Sequence, residues 1–250
     1  MGLDTDARKL PAHLGEDPDG IFKFNKAIID ATRDLCVAYK LNTAFYEAEG
    51  LKGWETLEKT AAYIGESHCR IADAKRGDIG NTSSLYARAF FEKMSFDAVT
   101  VAPYMGADSI RPFLEYEGKW TIVLGLTSNQ GSEDFQKLKL EKGDYLYQAV
   151  IRKISSWGNP GNLMFVIGAT QAAEVGRIRE LVPDHFFLVP GVGAQGGSLE
   201  EISKMAMNKD CGFLVNASRS ILFASSGEDF AELARKEASG LQKVMDSLLH

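Results

Sequence analysis

The sequence has little of what disulfide frameworks and metal centres need. It contains only three cysteines among 250 residues. Cys36, Cys69 and Cys211 are isolated along the chain, which indicates free thiols and offers no metal-binding spacing. The four histidines form no ligand pattern either. We therefore expect neither a disulfide framework nor a bound metal.

Basic charge and long apolar runs are also scarce. The 28 lysines and arginines are outnumbered by 34 aspartates and glutamates, for a net charge of −6. Without a basic stripe, a nucleic-acid partner is not expected. No stretch approaches the roughly 18 apolar residues of a membrane span, and no signal peptide opens the sequence. These absences predict a cytoplasmic protein that does not associate with a membrane.

What the chain does contain is a regular alternation of apolar strands and amphipathic helices. Strands are predicted at 35–41, 69–75, 98–102, 120–126, 163–169, 186–189 and 212–216. Helices are predicted at 21–34, 53–67, 84–94, 108–116, 145–157, 172–181, 198–207 and 230–249. With a strand stub at Leu3 and Asp4, this order predicts a single (β/α)8 TIM barrel over residues 1–250. A doubly wound open sheet is the alternative.

Polar residues follow the predicted strands, where a barrel places its chemistry. They are Asp4, Lys40, Asp73, Lys75, Ser128, Gln195 and Arg219. A lysine at such a position needs compensating charge if its ammonium is buried, although a surface lysine would explain Lys40 taken alone. The recurrence of polar groups at strand ends favours a shared site.

The spacing Asp73-x-Lys75-x-x-Asp78 is the densest charge cluster of this kind. In an extended strand, residues two apart point to the same face, so Asp73 and Lys75 should project together. Charges packed this closely must pair, and they shift one another's pKa values. A solvated charged loop is the plainer alternative, but the flanking strand and glycines favour a functional site.

The glycine-rich sequence at 191–196 matches Gly-x-Gly-x-x-Gly, although it is misplaced for a dinucleotide site. Such a site requires the motif in the first strand–helix turn and an acid about 20 residues further on. Here it follows a late strand, and the downstream positions are Val215 and Asn216. A phosphate site assisted by Arg219 fits better, because the last loops of barrels commonly bind phosphate. A flexible turn remains the alternative.

Three motifs together resemble the orotidine 5'-phosphate decarboxylase family. They are DAKRGDIGNT at 73–82, PGVGAQGG at 190–197 and NASRS at 216–220. Leu3 and Asp4, YKLN at 39–42 and TSN at 127–129 fit the family's remaining positions. The similarity covers nearly the whole chain and is greatest to the longer bacterial branch.

The resemblance implies decarboxylation of orotidine 5'-phosphate to UMP without cofactor or metal, as the last step of de novo pyrimidine synthesis. Asp73 would face the substrate carboxylate, and Lys75 would donate the proton to C6. Lys40 and Asp78 would complete a Lys-Asp-Lys-Asp array.

The same resemblance implies the substrate-binding residues and a partner. Asp4 would bind a ribose hydroxyl, Ser128 the pyrimidine ring and Pro190 the ring pocket. Gln195 and Arg219 would hold the phosphate, with Ser218 in the same motif. Asp78, Ile79 and Thr82 would reach the neighbouring subunit's site, which implies a homodimer.

Two other functions stay open, and one feature departs from the family pattern. An Mg2+-dependent keto-sugar-phosphate decarboxylase shares the Asp-x-Lys-x-x-Asp set, and a non-catalytic nucleotide-binding barrel is a further possibility. The family's first strand has an apolar lead before Leu-Asp, but only Met1 and Gly2 precede Leu3 and Asp4 here, so either the sequence lacks its natural start or the first strand is a stub.

Overall fold

The computed structural model describes residues 1–169, 172–191 and 199–249. The chain divides into two compact units, and each is described by itself. The first unit comprises Met1–Ala74, Glu92–Asp97 and Ala217–His250, and the second comprises Lys75–Phe91 and Ala98–Asn216.

Strands and helices alternate along the chain. The strands are β1 Ala38–Asn42, β2 Cys69–Arg76, β3 Ala98–Val101, β4 Trp120–Leu126, β5 Leu163–Ile167, β6 Phe186–Pro190 and β7 Phe213–Asn216. The helices are α1 Ala12–Gly15, α2 Gly20–Thr32, α3 Thr43–Glu47, α4 Gly50–Ile64, α5 Gly80–Arg88, α6 Ala107–Leu114, α7 Leu146–Ser155, α8 Ala172–Leu181, α9 Leu199–Ala206, α10 Arg219–Leu222 and α11 Phe230–Leu248. Short 3-10 helices span Ala7–Lys9 and Gln130–Glu133, and a π-helix spans Ala89–Lys93.

The strand order identifies the fold class. The sheet has seven strands in the order β1-β2-β3-β4-β5-β6-β7, which is also their order in the chain. The pairings of β1 with β2, and of β3 to β7 in succession, are parallel. A doubly wound sheet would reverse its order at a switch point, and the seven described strands show no such reversal. The predicted (β/α)8 barrel class is confirmed.

The chain start behaves as a stub of a further strand within the first unit. Gly2 forms an isolated parallel bridge with Lys40. The Leu3 amide donates to the Lys40 carbonyl at 2.8 Å, and the Gly2 amide donates to the Ala217 carbonyl at 2.7 Å. Gly2 and Leu3 therefore hydrogen-bond to segments on both sides, in an isolated bridge rather than in a strand.

Several predicted boundaries were wrong, and helices account for most of the differences. The first predicted helix begins at residue 21, yet the short α1 forms before it. The five-residue α3 was missed because it is too short for a periodic signal, although Asn42 caps it, its side-chain oxygen accepting from the Ala44 amide at 3.2 Å. Helix α5 begins at Gly80 rather than at residue 84, so Ile79 is its N-cap.

A half-buried arginine, Arg179, holds the segments that precede the last two strands of the second unit. The Arg179 guanidinium donates to the carbonyls of Val182, Pro183, His185, Ala206 and Gly212. It also lies 3.8 Å from the centre of the Phe187 ring. Burial lowers the pKa of Arg179 to about 10, which still leaves the guanidinium charged at neutral pH. Its contacts tie α8 and α9 to the strands they flank.

Among the helices in the described part of the chain, none is long and apolar enough to cross a membrane.

Candidate active site

A buried lysine between two carboxylates is the centre of the candidate site in the first unit. Lys40 Nζ lies 2.7 Å from Asp73 Oδ2 and 3.2 Å from Asp4 Oδ1. Lys40 is only 4% exposed, although lysine is normally a surface residue. The parallel register explains the meeting, since Lys40 on β1 pairs with Ile71 and Asn42 pairs with Asp73. The structure thus brings together three of the predicted site residues.

These carboxylates keep the ammonium charged despite its burial. Burial alone would lower the pKa of Lys40, but the charges of Asp4 and Asp73 and their hydrogen bonds outweigh it, so the pKa is raised. The site therefore presents a fixed positive charge at neutral pH, held in place by two anions.

Lys75 has an unusual backbone conformation. It lies on β2, but its φ is +47°, in the left-handed region that residues with a side chain rarely adopt. Its amide donates to Thr100 Oγ1 at 2.9 Å, and Thr100 is fully buried. The extended backbone assumed for residues 73–75 therefore does not hold at Lys75. Backbone strain of this kind concentrates at functional sites.

The turn after β2 presents Asp78, Ile79 and Thr82 at the surface of the second unit. Asp78 Oδ1 accepts a hydrogen bond from the Ile79 amide at 2.8 Å. Ile79 is 57% exposed, and Thr82 in the first turn of α5 is also exposed. A single exposed apolar side chain is common on protein surfaces, and it indicates a contact surface only as part of a larger apolar patch.

Ser128 lines a cavity of about 220 Å³ that follows β4. Its position depends on Gly168, just after β5, because a Cβ there would lie 2.7 Å from the Ser128 amide nitrogen. Gln136 holds the preceding residue, since its side chain bonds both the amide and the hydroxyl of Thr127 at 2.8 Å. Sequence reasoning missed Gly168 and Gln136, whose roles arise from contacts between segments distant in sequence.

The remaining predicted residues lie near the ends of β6 and β7. Pro190 ends β6 and pairs in register with Asn216 of β7. Ser218 is the N-cap of α10, and Arg219 is an exposed residue at its start. Within the described part of the chain, the buried Ser218 hydroxyl has no hydrogen-bond partner. Gln195 and most of the glycine-rich motif at 191–196 lie outside the described residues.

Over residues 1–169, 172–191 and 199–249, no three histidine, cysteine, aspartate or glutamate side chains cluster in a way that could hold a metal ion.

The strand order and the charged lysine site define a (β/α)8-barrel protein with ionic chemistry at its strand ends. Residues 11–234 match the model of the Orotidine 5'-phosphate decarboxylase / HUMPS family. The chain belongs to this family.

Individual relatives agree with that assignment. The chain is 56% identical over 252 residues to the orotidine 5'-phosphate decarboxylase of Phocaeicola vulgatus, covering 100% of this chain and 93% of the relative. The solved OMP decarboxylase of Leishmania donovani is 33% identical, with a TM-score of 0.81, and the match covers 96% of this chain and 92% of that one. The UMP synthase of the same organism has a TM-score of 0.84 at 35% identity. That match covers 96% of this chain but only 53% of the UMP synthase chain. The prediction of an enzyme of this family is confirmed.

Proposed function

We propose that this protein decarboxylates orotidine 5'-phosphate to UMP and CO2, in the biosynthesis of UMP. The observation that carries the proposal is the buried Lys40 ammonium between the carboxylates of Asp4 and Asp73. Such a group can supply the fixed charge that a carbanion-forming reaction needs. The proposal assigns Lys40, Asp73, Lys75 and Asp78 to one catalytic array.

The reaction requires a positively charged group beside C6, the carbon that loses CO2, because negative charge develops there. The bond from C6 to the carboxylate breaks, the electron pair stays on C6, and CO2 leaves. Asp73 faces the departing carboxylate, and the Lys75 ammonium stabilises the developing negative charge. Lys75 then transfers a proton to C6, which completes UMP, and regains a proton from water. The proposed reaction uses no cofactor and no metal.

Substrate binding is assigned to the remaining residues. Asp4 contacts a ribose hydroxyl, Ser128 contacts the pyrimidine ring, and Pro190 lines the ring pocket. The cavity beside Ser128 supports the second of these roles. Energy from groups remote from C6 can assemble the site for the transition state.

The phosphate is assigned to Arg219, Gln195 and Ser218. Arg219 is exposed and offers a guanidinium that can bind two phosphate oxygens. Ser218 supports the same location, because a buried hydroxyl without a protein partner in the described structure is suited to a ligand. Arg219→Ala should mainly weaken substrate capture, and an unchanged kcat/KM would count against its role.

We also propose a homodimer in which Asp78, Ile79 and Thr82 complete the site of the partner subunit. Neighbouring segments of the second unit support this, since Met105 approaches Gly77 closely enough to contact a Cβ placed there, at 3.5 Å. Large apolar side chains are exposed on these segments. They are Ile79, Leu85, Tyr104 and Met105, exposed by 57%, 45%, 89% and 47%.

Mixing two inactive variants tests the shared site. In a heterodimer of Lys75→Ala and Asp78→Ala subunits, one of the two sites combines an intact Lys75 with an intact partner Asp78. Random reassociation should therefore restore about a quarter of the wild-type activity. No recovery after verified subunit exchange would contradict the sharing of sites.

The direct test of function is the loss of ultraviolet absorbance when orotidine 5'-phosphate is added in the presence of a chelator. We expect turnover with the wild-type protein and none with Lys75→Ala, while Lys153→Ala, at an exposed position on α7, serves as a control. No absorbance change with the wild-type protein would refute the proposal. Metal-dependent turnover of a keto-sugar phosphate would support the Mg2+-dependent alternative, and ligand binding without turnover would support a non-catalytic barrel.

The cytoplasmic location and the single domain over 1–250 stay predictions.

A further inference from the structure

Four buried polar side chains that have no assigned role form a connected network in the first unit. They are Thr5, Asn25, Tyr46 and Thr60, and none is more than 1% exposed. They come from different elements: the segment after the strand stub, then α2, α3 and α4. Buried polar groups are costly unless they are satisfied, so a connected set of four calls for an explanation.

The hydrogen bonds of this network have one consistent direction. Thr5 Oγ1 donates to Asn25 Oδ1 at 2.6 Å. Asn25 Nδ2 donates to the Tyr46 hydroxyl at 3.0 Å and to Thr60 Oγ1 at 3.3 Å. The Tyr46 hydroxyl donates to the Leu3 carbonyl at 3.0 Å. Because a carbonyl can only accept, Tyr46 must donate there and accept from the Asn25 amide nitrogen. This orients the Asn25 amide oxygen toward Thr5.

Both ends of the network hold neighbours of Asp4. One end fixes the carbonyl of Leu3, directly before Asp4, and the other fixes the hydroxyl of Thr5, directly after it. Backbone hydrogen bonds also hold the residues before Asp4, since the Gly2 amide donates to the Ala217 carbonyl and the Leu3 and Lys40 amides donate to the carbonyls of Lys40 and Met1. The network adds side-chain hydrogen bonds on both sides of Asp4 to these backbone bonds.

Close helix packing fixes the tyrosine in turn. A Cβ on Gly53 of α4 would lie 1.7 Å from the Tyr46 carbonyl oxygen, so only glycine allows α4 to pack so closely against α3. The packing leaves Tyr46 1% exposed, without room for the ring to move away.

We propose that Asn25 and Tyr46 are positioning residues that set the place of the Asp4 carboxylate and, through it, of the Lys40 ammonium. The inference deepens the proposed decarboxylase function and rests on it. Neither residue touches substrate in this proposal. Both act through Asp4, which lies 3.2 Å from Lys40 Nζ.

A double-mutant cycle between Tyr46→Phe and Asp4→Asn tests this coupling. Because misplacement of a catalytic group by about 1 Å can cost on the order of 100-fold, we expect Tyr46→Phe to lower kcat/KM at least tenfold. In the Asp4→Asn background the same change should have little effect. An equal loss in both backgrounds, or no loss at all, would overturn the inference.

Tyr39→Phe is the matched control. Tyr39 is also fully buried in the first unit, and its hydroxyl bonds Thr32 Oγ1 at 3.0 Å and the Ile29 carbonyl at 3.3 Å, away from residues 3–5. It should lose stability like Tyr46→Phe but retain kcat/KM. A comparable loss of kcat/KM in the control would attribute the effect to general destabilisation and refute the positioning role.

Two further measurements keep the result decisive. If Tyr46→Phe does not fold, Thr5→Val removes the hydroxyl at the other end while Thr5→Ser retains it, and only the former should lose activity. A crystal structure of the variant gives a readout independent of turnover: we expect the Asp4 carboxylate to move beyond 3.2 Å from Lys40 Nζ. An unchanged separation would refute the inference, whereas an inactive wild-type protein would refute the proposed function alone.

Discussion

Replacing Lys40 by methionine should show how much the buried ammonium contributes to the free energy of unfolding. The Lys40 side chain is 5% exposed, and those of Asp4 and Asp73 are 18% and 11% exposed. Methionine preserves most of the side-chain volume but removes the ammonium that both carboxylates contact. The substitution therefore tests charge rather than packing.

The expected loss of unfolding free energy in Lys40→Met follows from the burial of the ion pairs. Removing one partner of a buried ion pair costs about 3–5 kcal/mol, because the remaining charge stays desolvated. Since both carboxylates retain some contact with water, we expect the lower end, about 3 kcal/mol. At a slope of about 3 kcal/mol per molar, the urea midpoint should fall by about 1 M.

The pH dependence provides a second check. The folded-state pKa of Lys40 is raised, so its stabilisation is fully present below the unfolded value of about 10.4 and is lost as pH rises through the folded value. The difference in unfolding free energy between the two proteins should therefore be constant at neutral pH and shrink as the pH rises above the unfolded value of about 10.4.

Equilibrium urea unfolding at several pH values is the assay, with Lys52→Met as its control. Lys52 Nζ also lies 2.8 Å from a carboxylate oxygen, that of Asp19, but its side chain is 44% exposed. We expect a much smaller effect there, because exposed ion pairs contribute little. Equal midpoints for wild-type protein and Lys40→Met would refute this electrostatic account of the site.

Three further changes address stability and substrate binding. Gly168→Ala should displace Ser128 and so raise the KM for orotidine 5'-phosphate several-fold in steady-state kinetics. Gly240→Ala should leave KM unchanged, because a Cβ at that position meets nothing within 4 Å. Equal KM values in the two variants would argue against the close approach of Gly168 to Ser128. Arg179→Met should lower the unfolding free energy by about 3 kcal/mol, because it leaves carbonyls without a donor, and an unaltered thermal midpoint would contradict this role. Arg179→Lys should recover only part of the loss, since an ammonium cannot reproduce the planar fork of donors.

The fold class could be predicted from the sequence because it depends on local patterns repeated along the chain. Apolar runs at strand spacing gave Trp120–Leu126 with its observed bounds, and helical periodicity gave Ala172–Leu181. Helix α3 was missed because it is only five residues long, too short for a periodic signal.

The sequence by itself determined which residues could carry the chemistry. An acid–lysine–acid spacing within residues 73–82 is a local property, and its charges already required pairing. The family resemblance rested on the same local motifs and on their order along the chain.

Only the tertiary structure decided how those residues are held. Lys40 meets Asp4 and Asp73 across separations of 36 and 33 residues, through strand register that no local pattern encodes. The left-handed backbone of Lys75 and the link from Asn25 and Tyr46 to the neighbours of Asp4 also arise from packing. Such contacts depend on which distant surfaces meet, and the free energy of that packing belongs to the whole fold rather than to any segment of it.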